Sequence, residues 1–207
     1  RIQQAEKEAH RAMELAALAG DATAVSWVAN DHGLICLHQG RSAAGEVFFE
    51  QAIEGHRAAG NRLGEAVTLA NLSRAHLDLG NVSRAVEIAR HSLAVHSELG
   101  RPMRRASAHF ALGLALARAG RHAEALSQFV DAQDIFTEHR QRLWVGNTHF
   151  RMAEVHLAAG RPAQAAQHAE QALALGCVGG DRMRGNVVAL LGRSLFLLGQ
   201  KDRARAC

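Results

Sequence analysis

Residues 112–132 read LGLALARAGRHAEALSQFVDA, and this stretch decides the fold. On both sides of Gly120, small and apolar side chains recur every three or four residues, which is the period of an α-helix. A glycine at the end of a helix adopts the left-handed conformation without steric cost. The stretch therefore predicts two helices joined by a tight turn.

The same turn recurs along the whole chain at intervals of twenty residues. The glycines of this series are Gly20, Gly40, Gly60, Gly80, Gly100, Gly120, Gly160 and Gly180, and the last one is displaced by one residue to Gly199. Arg140 stands where the series requires a further glycine. There we expect either a non-glycine residue in the left-handed conformation or a longer turn over 138–142.

The residues that follow these glycines are typical of helix starts. Asp21, Asn61, Asn81 and Asp181 are candidate N-caps, because their side chains accept hydrogen bonds from free backbone amides. Pro102 and Pro162 fall in first helical turns, where proline is tolerated. The sequence thus predicts helices of about 17 residues, each ~25 Å long.

Small side chains come into register when the chain is divided into units of forty residues. One column is Gly33, Ser73, Gly113, Ala153 and Gly192, and a second is Ala5, Gly45, Ala85, Ala125, Ala165 and Ala204. Small residues let helix backbones approach closely, and we expect Phe49 and Phe129 to fill the gaps between them. We therefore divide a single domain, 1–207, into a half repeat 1–20, repeats 21–60, 61–100, 101–140 and 141–180, and an incomplete repeat 181–207.

These columns resemble the tetratricopeptide repeat, which has a Leu-Gly pair, a glycine turn, and then alanine, an aromatic residue and alanine. The resemblance is clearest at 112–132 and extends over essentially the whole chain. It implies an all-α fold, a right-handed α-solenoid of antiparallel helix pairs. The units here are longer than the usual 34 residues, and the usual tryptophan and tyrosine columns are mostly lost.

Composition excludes several classes of protein and argues against others. The chain is 48% hydrophobic and 21% charged, which is too apolar for disorder, and it has no apolar run long enough to span a membrane. The net charge of +4 suggests nucleic-acid binding, but the 24 basic residues are interleaved with 20 acidic ones, so this is the less favoured interpretation. The three cysteines, Cys36, Cys177 and Cys207, form no CxxC pair, and we expect a reduced, cytoplasmic protein.

The chain lacks the motifs of common enzymes. It contains no GxxxxGK[ST], GxSxG or HExxH motif, and its best glycine-rich stretch, 176–180, has no partner lysine. Thirteen histidines raise the question of a metal. His149 and His156 are about 10.5 Å apart along one helix, too far to share an ion directly, whereas His109 and His149 could approach each other from successive repeats. We predict no catalysis, no metal and no cofactor.

In arrays of this family the first helix of each pair lines the concave side. Ten residues there are predicted to bind a partner: Trp27, Asn30, Asn71, Arg74, Phe110, Asn147, Phe150, Arg151, Asn186 and Arg193. Asparagine can pair with a ligand's backbone, and arginine suits carboxylates. The expected partner is an acidic or carboxylate-bearing protein or peptide segment, unless Glu154 already pairs with a neighbouring arginine.

The forty-residue unit, as in 60–100, also resembles the C-terminal arrays of actinobacterial antibiotic regulatory proteins. By that resemblance the chain is the sensor of a larger transcription regulator, with nucleotide-switch and DNA-binding domains upstream. The partner could then be an intramolecular segment, and homodimers are possible. A free-standing scaffold, a receptor for a quorum-signal peptide and a nucleic-acid-binding solenoid remain as alternatives. We also expect the chain to be a fragment, because it begins in a second helix (2–19) whose Ala5, Ala9 and Ala12 would lack a covering neighbour.

Overall fold

The computed structural model describes residues 20–177 and 179–206, together with Arg11, Leu15 and Leu18. Over residues 20–177 and 179–206 it contains ten helices and no strand. These are α1 (Ala22–His38), α2 (Ser42–Ala58), α3 (Arg62–Asp78), α4 (Val82–Glu98), α5 (Pro102–Arg118), α6 (His122–Glu138), α7 (Arg142–Ala158), α8 (Pro162–Leu175), α9 (Gly180–Leu197) and α10 (Lys201–Arg205). Most of them are 17 residues long, as the glycine spacing predicts.

The helices form two compact units, Arg1–Arg101 and Pro102–Cys207. In unit 1, α1 pairs with α2 and α3 with α4, and α2 packs on α3. In unit 2 the pairs are α5 with α6, α7 with α8 and α9 with α10, and successive pairs pack through α6 on α7 and α8 on α9. This arrangement confirms the all-α fold of consecutive helix pairs. A single domain over 1–207 stays a prediction.

The turns between helices have the predicted left-handed glycines. Gly40, Gly80 and Gly120 have φ angles of 73°, 80° and 72°. Arg140 adopts the same conformation with φ of 54°, the only described residue other than glycine to do so. Because α6 ends at Glu138 and α7 begins at Arg142, the turn is no longer than the others. Of the two expectations for Arg140, the left-handed residue is therefore the one observed.

The helix starts follow the predictions in part. The side chains of Asp21 and Asn61 cap α1 and α3, accepting from the backbone amides of Ala24 and Gly64. Asn81 makes no such bond, and its amide nitrogen lies 3.5 Å from His76 Nδ1 instead. The prediction for Asp181 was wrong: Gly179 is the N-cap of α9 and the helix begins at Gly180, so Asp181 lies inside its first turn.

Glycine and phenylalanine occupy facing positions in the first hairpin of each unit. Gly33 faces Phe49 in unit 1, and Gly113 faces Phe129 in unit 2, where a methyl group on Gly113 would come within 2.7 Å of the Phe129 ring. Both phenylalanines are completely buried. At Gly33 and Gly113 the small-residue column is thus in close contact with the facing helix, as predicted.

The predicted half repeat 1–20, with Ala5, Ala9 and Ala12, lies almost entirely outside the described residues. Cys36 is buried at 4% exposure among the core side chains of unit 1. In the part of the chain that the structure describes, no helix combines the length and apolar character needed to cross a membrane.

Candidate functional site

Unit 2 contains a groove of about 600 Å³ between α7 and α9. It has a mixed lining, with apolar side chains beside charged and amide groups. Four of the ten predicted partner-binding residues line it: Phe150, Arg151, Asn186 and Arg193. The structure therefore brings these four predicted residues together at one groove.

On the α7 side, the Arg151 side chain is fixed in place. Its Nη1 donates to Glu154 Oε2 at 2.8 Å, which is the arginine pairing that the sequence left open. Its guanidinium carbon also lies 5.1 Å from the centroid of the Phe150 ring, a cation–π distance. Phe150 itself is only 4% exposed, so it supports the base of the groove and offers little surface to a ligand.

On the α9 side, Asn186 and Arg193 are exposed. Neither side chain makes a hydrogen bond or ion pair to any residue within 20–177 or 179–206. The guanidinium of Arg193 therefore lies at the groove with its positive charge unpaired. Its planar set of N–H donors can bind a carboxylate through two parallel hydrogen bonds. Asn186 adds a group that both donates and accepts.

Two other predicted residues of unit 2 lie outside the lining. Phe110 is part-buried, with its ring centroid 5.6 Å from that of Phe129 and 5.8 Å from that of Trp144, so it belongs to the core. Asn147 is half-buried, and its Oδ1 has no hydrogen-bond partner among the described residues. Neither side chain is placed to contact a ligand in the α7–α9 groove.

In unit 1, three predicted residues, Trp27, Asn30 and Asn71, are held by side chains of the same unit. Asn30 is 3% exposed and accepts a 2.8 Å hydrogen bond from Asn71, so it is not available to a ligand's backbone. Trp27 packs edge-on against His56, with centroids 4.8 Å apart. Arg74 is exposed. A surface shared by these residues and those of unit 2 stays a prediction.

The tetratricopeptide repeat family matches residues 23–98 and 104–176. The chain belongs to this family. It is 68% identical over 207 residues to the regulatory protein AfsR of Streptomyces coelicolor, which covers the whole chain but only 21% of AfsR. The resemblance to antibiotic regulatory proteins is thus confirmed. The chain spans about a fifth of that relative's length.

Solved structures share the tetratricopeptide fold at low identity. BtubC from P. vanneervenii superimposes with a TM-score of 0.85 at 15% identity, covering 100% of this chain and 87% of BtubC. The Rap conjugation gene regulator of plasmid pLS20, solved in complex with the Phr* peptide, superimposes with a TM-score of 0.74 at 15% identity. That match covers 89% of this chain and 52% of the Rap regulator.

This tetratricopeptide domain contains a histidine cluster that was not predicted from the sequence. His168 of α8 lies between His149 and His156 of α7: its Nδ1 is 3.0 Å from His149 Nδ1, and its ring stacks on His156 with centroids 5.2 Å apart. His109, which could have approached His149 from the preceding repeat, instead has its Nδ1 2.9 Å from Gln128 Oε1. The spacing of 19 residues is common to the 109–128 and 149–168 pairs, and it was the signal that could have revealed the cluster.

Burial sets the protonation of this cluster. It lowers the pKa of His149 and His156 to about 4, with further lowering from His168 and, for His156, from Arg161. Burial likewise lowers the pKa of His168, against a hydrogen bond with Gln171 that raises it. The three rings are therefore neutral at pH 7. Among the residues that the structure describes, no group of three or more histidine, cysteine, aspartate or glutamate side chains is arranged to hold a metal ion.

The Cys177 thiol lies within electrostatic reach of Arg151, one of the residues that line the groove. Burial raises its pKa above the ordinary value, although the positive charge of Arg151 lowers it. The group is thus a protonated thiol at neutral pH, and the thiolate is the nucleophilic form of cysteine. Its environment favours a packing role over a chemical one.

Proposed function

We propose that this chain is the non-catalytic sensor domain of a larger bacterial transcription regulator and binds a protein or peptide segment. Two observations support the proposal: membership of a repeat family that serves protein interaction, and 68% identity to part of AfsR, a regulatory protein. In this proposal, nucleotide-switch and DNA-binding domains lie upstream, in the part of the regulator to which this chain does not correspond.

The groove between α7 and α9 is the proposed site of binding, and the free guanidinium of Arg193 is the observation on which this depends. A ligand carboxylate would pair with Arg193, and a backbone amide would pair with Asn186. Apolar ligand side chains would pack on Leu157, Met183 and Leu190, which line the same groove. The ligand class is therefore a segment that combines acidic and apolar residues.

A free-standing peptide receptor is the second candidate. The observation that favours it is the fold shared with the Rap regulator, which was solved with the Phr* peptide bound. The two candidates differ in what precedes the chain. A nucleotide-binding domain encoded upstream of Arg1 favours the regulator, and a start codon a few residues upstream favours the receptor.

Peptide scanning tests the proposal. Overlapping 15-residue peptides would cover the AfsR sequence outside the part that this chain matches, and binding would be followed by fluorescence anisotropy. We expect peptides that contain both acidic and apolar residues to bind to the wild-type protein. The Arg193→Glu variant should no longer bind these peptides in preference to the others. A set of bound peptides with no acidic bias, or no binding at all, would count against an intramolecular acidic partner.

A further inference from the structure

Unit 1 contains a second groove, of about 470 Å³, between α2 and α4. Its base is aliphatic and comes from three helices. The four side chains of this base are 4–6% exposed: Ile53, Leu69, Leu72 and Ile88. We call this feature the outer groove, since it lies between second helices of the repeats and not between first helices.

The rim of the outer groove has an excess of negative charge. Arg57 is engaged by the buried carboxylate of Glu65 at 2.7 Å, and Arg84 is engaged by Glu87 at 3.0 Å. The carboxylates of Glu50 and Glu54 are not neutralised in this way. Both residues are exposed on α2 and line the groove, and neither has an ion-pair partner in the described part of the chain. Being four residues apart, they lie one helical turn from each other on the same face.

The corresponding positions of unit 2, eighty residues later, show that the fold does not require this combination. Val130 and Asp134 stand in place of Glu50 and Glu54, and His149 and His168 stand in place of Leu69 and Ile88. Of the four base positions, only that of Leu72 keeps a buried apolar side chain, Met152, and the α7–α8 hairpin packs as α3–α4 does. Ile53, Leu69, Leu72 and Ile88 belong to the hydrophobic core of unit 1, which accounts for the aliphatic base. Packing of the repeats does not account for the free carboxylates of Glu50 and Glu54 above it.

We propose that the outer groove docks a basic amphipathic helix from a partner protein. Aliphatic side chains of that helix would pack on Leu69, Leu72 and Ile88. Its lysines or arginines, spaced by one turn, would pair with Glu50 and Glu54, because cations at that spacing match the two carboxylates. This inference does not rest on the proposed function, which concerns the α7–α9 groove of unit 2 and a ligand of opposite charge.

A fluorescein-labelled helical peptide of sequence LKKLLKLLKKLLKL serves as the probe, with its lysines replaced by glutamates as the charge control. We expect the lysine peptide to bind at low salt and to weaken as salt rises, and the glutamate peptide not to bind. In methyl NMR spectra the shifts of Leu69, Leu72 and Ile88 should move on titration.

The decisive comparison uses two double variants of equal charge change. Glu50→Lys/Glu54→Lys should raise the Kd of the lysine peptide at least tenfold. Asp134→Lys/Glu138→Lys, on the exposed face of α6, should change it less than twofold. Equal weakening by both, no binding of the lysine peptide, or methyl shifts confined to unit 2 would overturn the inference. So would a dimer, detected by light scattering, that Glu50→Lys/Glu54→Lys dissociates, since the occupant would then be a second copy.

Discussion

The Nδ1 atoms of His149 and His168 lie 3.0 Å apart across the α7–α8 hairpin. At this distance one ring nitrogen donates and the other accepts, so the two Nδ1 atoms cannot both carry a proton. With His156 stacked on the other side of His168, the hairpin holds three imidazoles that must stay largely neutral. Protonation of the cluster and folding of the hairpin are therefore linked.

Acidification between pH 6.5 and 4 is expected to destabilise the protein. The pKa of His149 and of His156 is about 4 in the fold, against an ordinary value of 6.5. In that window the unfolded chain binds protons that the folded chain does not, so the free energy of unfolding falls as pH falls. Urea unfolding at pH 7.5, 6.0 and 5.0 measures this dependence.

His168→Gln is the matched variant, since Gln128 already pairs with His109 at the corresponding position of the preceding repeat. We expect it to fold normally at pH 7.5 and to show a shallower loss of stability down to pH 5. An unchanged pH dependence would show that the acid sensitivity arises elsewhere, for example at His56, whose burial lowers its pKa although the charge of Glu65 raises it.

Arg140→Gly should stabilise the protein by ~0.5–1 kcal/mol, because glycine adopts φ of 54° without the steric cost that arginine incurs there. Gln141→Gly is the control: its φ of −83° suits any residue, so glycine there relieves no strain. It adds chain entropy to the unfolded state and removes the exposed hydrogen bond from Gln141 Nε2 to the His139 carbonyl. Urea midpoints compare the two. Destabilisation by Arg140→Gly would contradict the strain at this turn.

Gly113→Ala should destabilise by ~1–3 kcal/mol, because its methyl group meets the buried Phe129 ring. The double variant Gly113→Ala/Phe129→Ala reproduces the Ala153 and Ala169 pair of the next repeat. It should lose less stability than the sum of the two single variants. Strict additivity in chemical denaturation would mean that the small-residue column does not act as paired contacts.

Much of the fold could be predicted because each repeat uses local rules. The glycine turns, the length of the helices and the starts at Pro102 and Pro162 depend on backbone conformation within a few residues. Asp181 is the exception. Helix α8 ends early at Leu175, Gly176 and Gly179 have positive φ, and the next helix begins at Gly180, before Asp181. A glycine count alone does not reveal which glycine ends a helix.

The site was harder to predict, since it depends on how each helix is rotated. Asn30 shares the sequence pattern of a groove residue but accepts from Asn71 inside unit 1. Arg151 and Arg193 share a residue type, yet one is paired with Glu154 and the other is free. A single helix sequence shows which residues share a face, but the neighbouring hairpin decides which of them are covered.

Binding of an acidic segment in the α7–α9 groove is tested most directly by a calorimetric titration. The ligand would be the tightest acidic peptide of the AfsR series, titrated into wild type, Arg193→Glu, Arg151→Glu and the control Arg184→Glu, which reverses an exposed charge of α9 outside the groove. Melting temperatures are recorded for each protein.

We expect Arg193→Glu and Arg151→Glu each to weaken binding by ~2 kcal/mol or more, while Arg184→Glu changes it little. The melting temperature of Arg193→Glu should equal that of wild type, and a fall for Arg151→Glu would show that its contacts with Glu154 and Phe150 are structural. Equal affinity of wild type and Arg193→Glu for the acidic peptide would contradict the account.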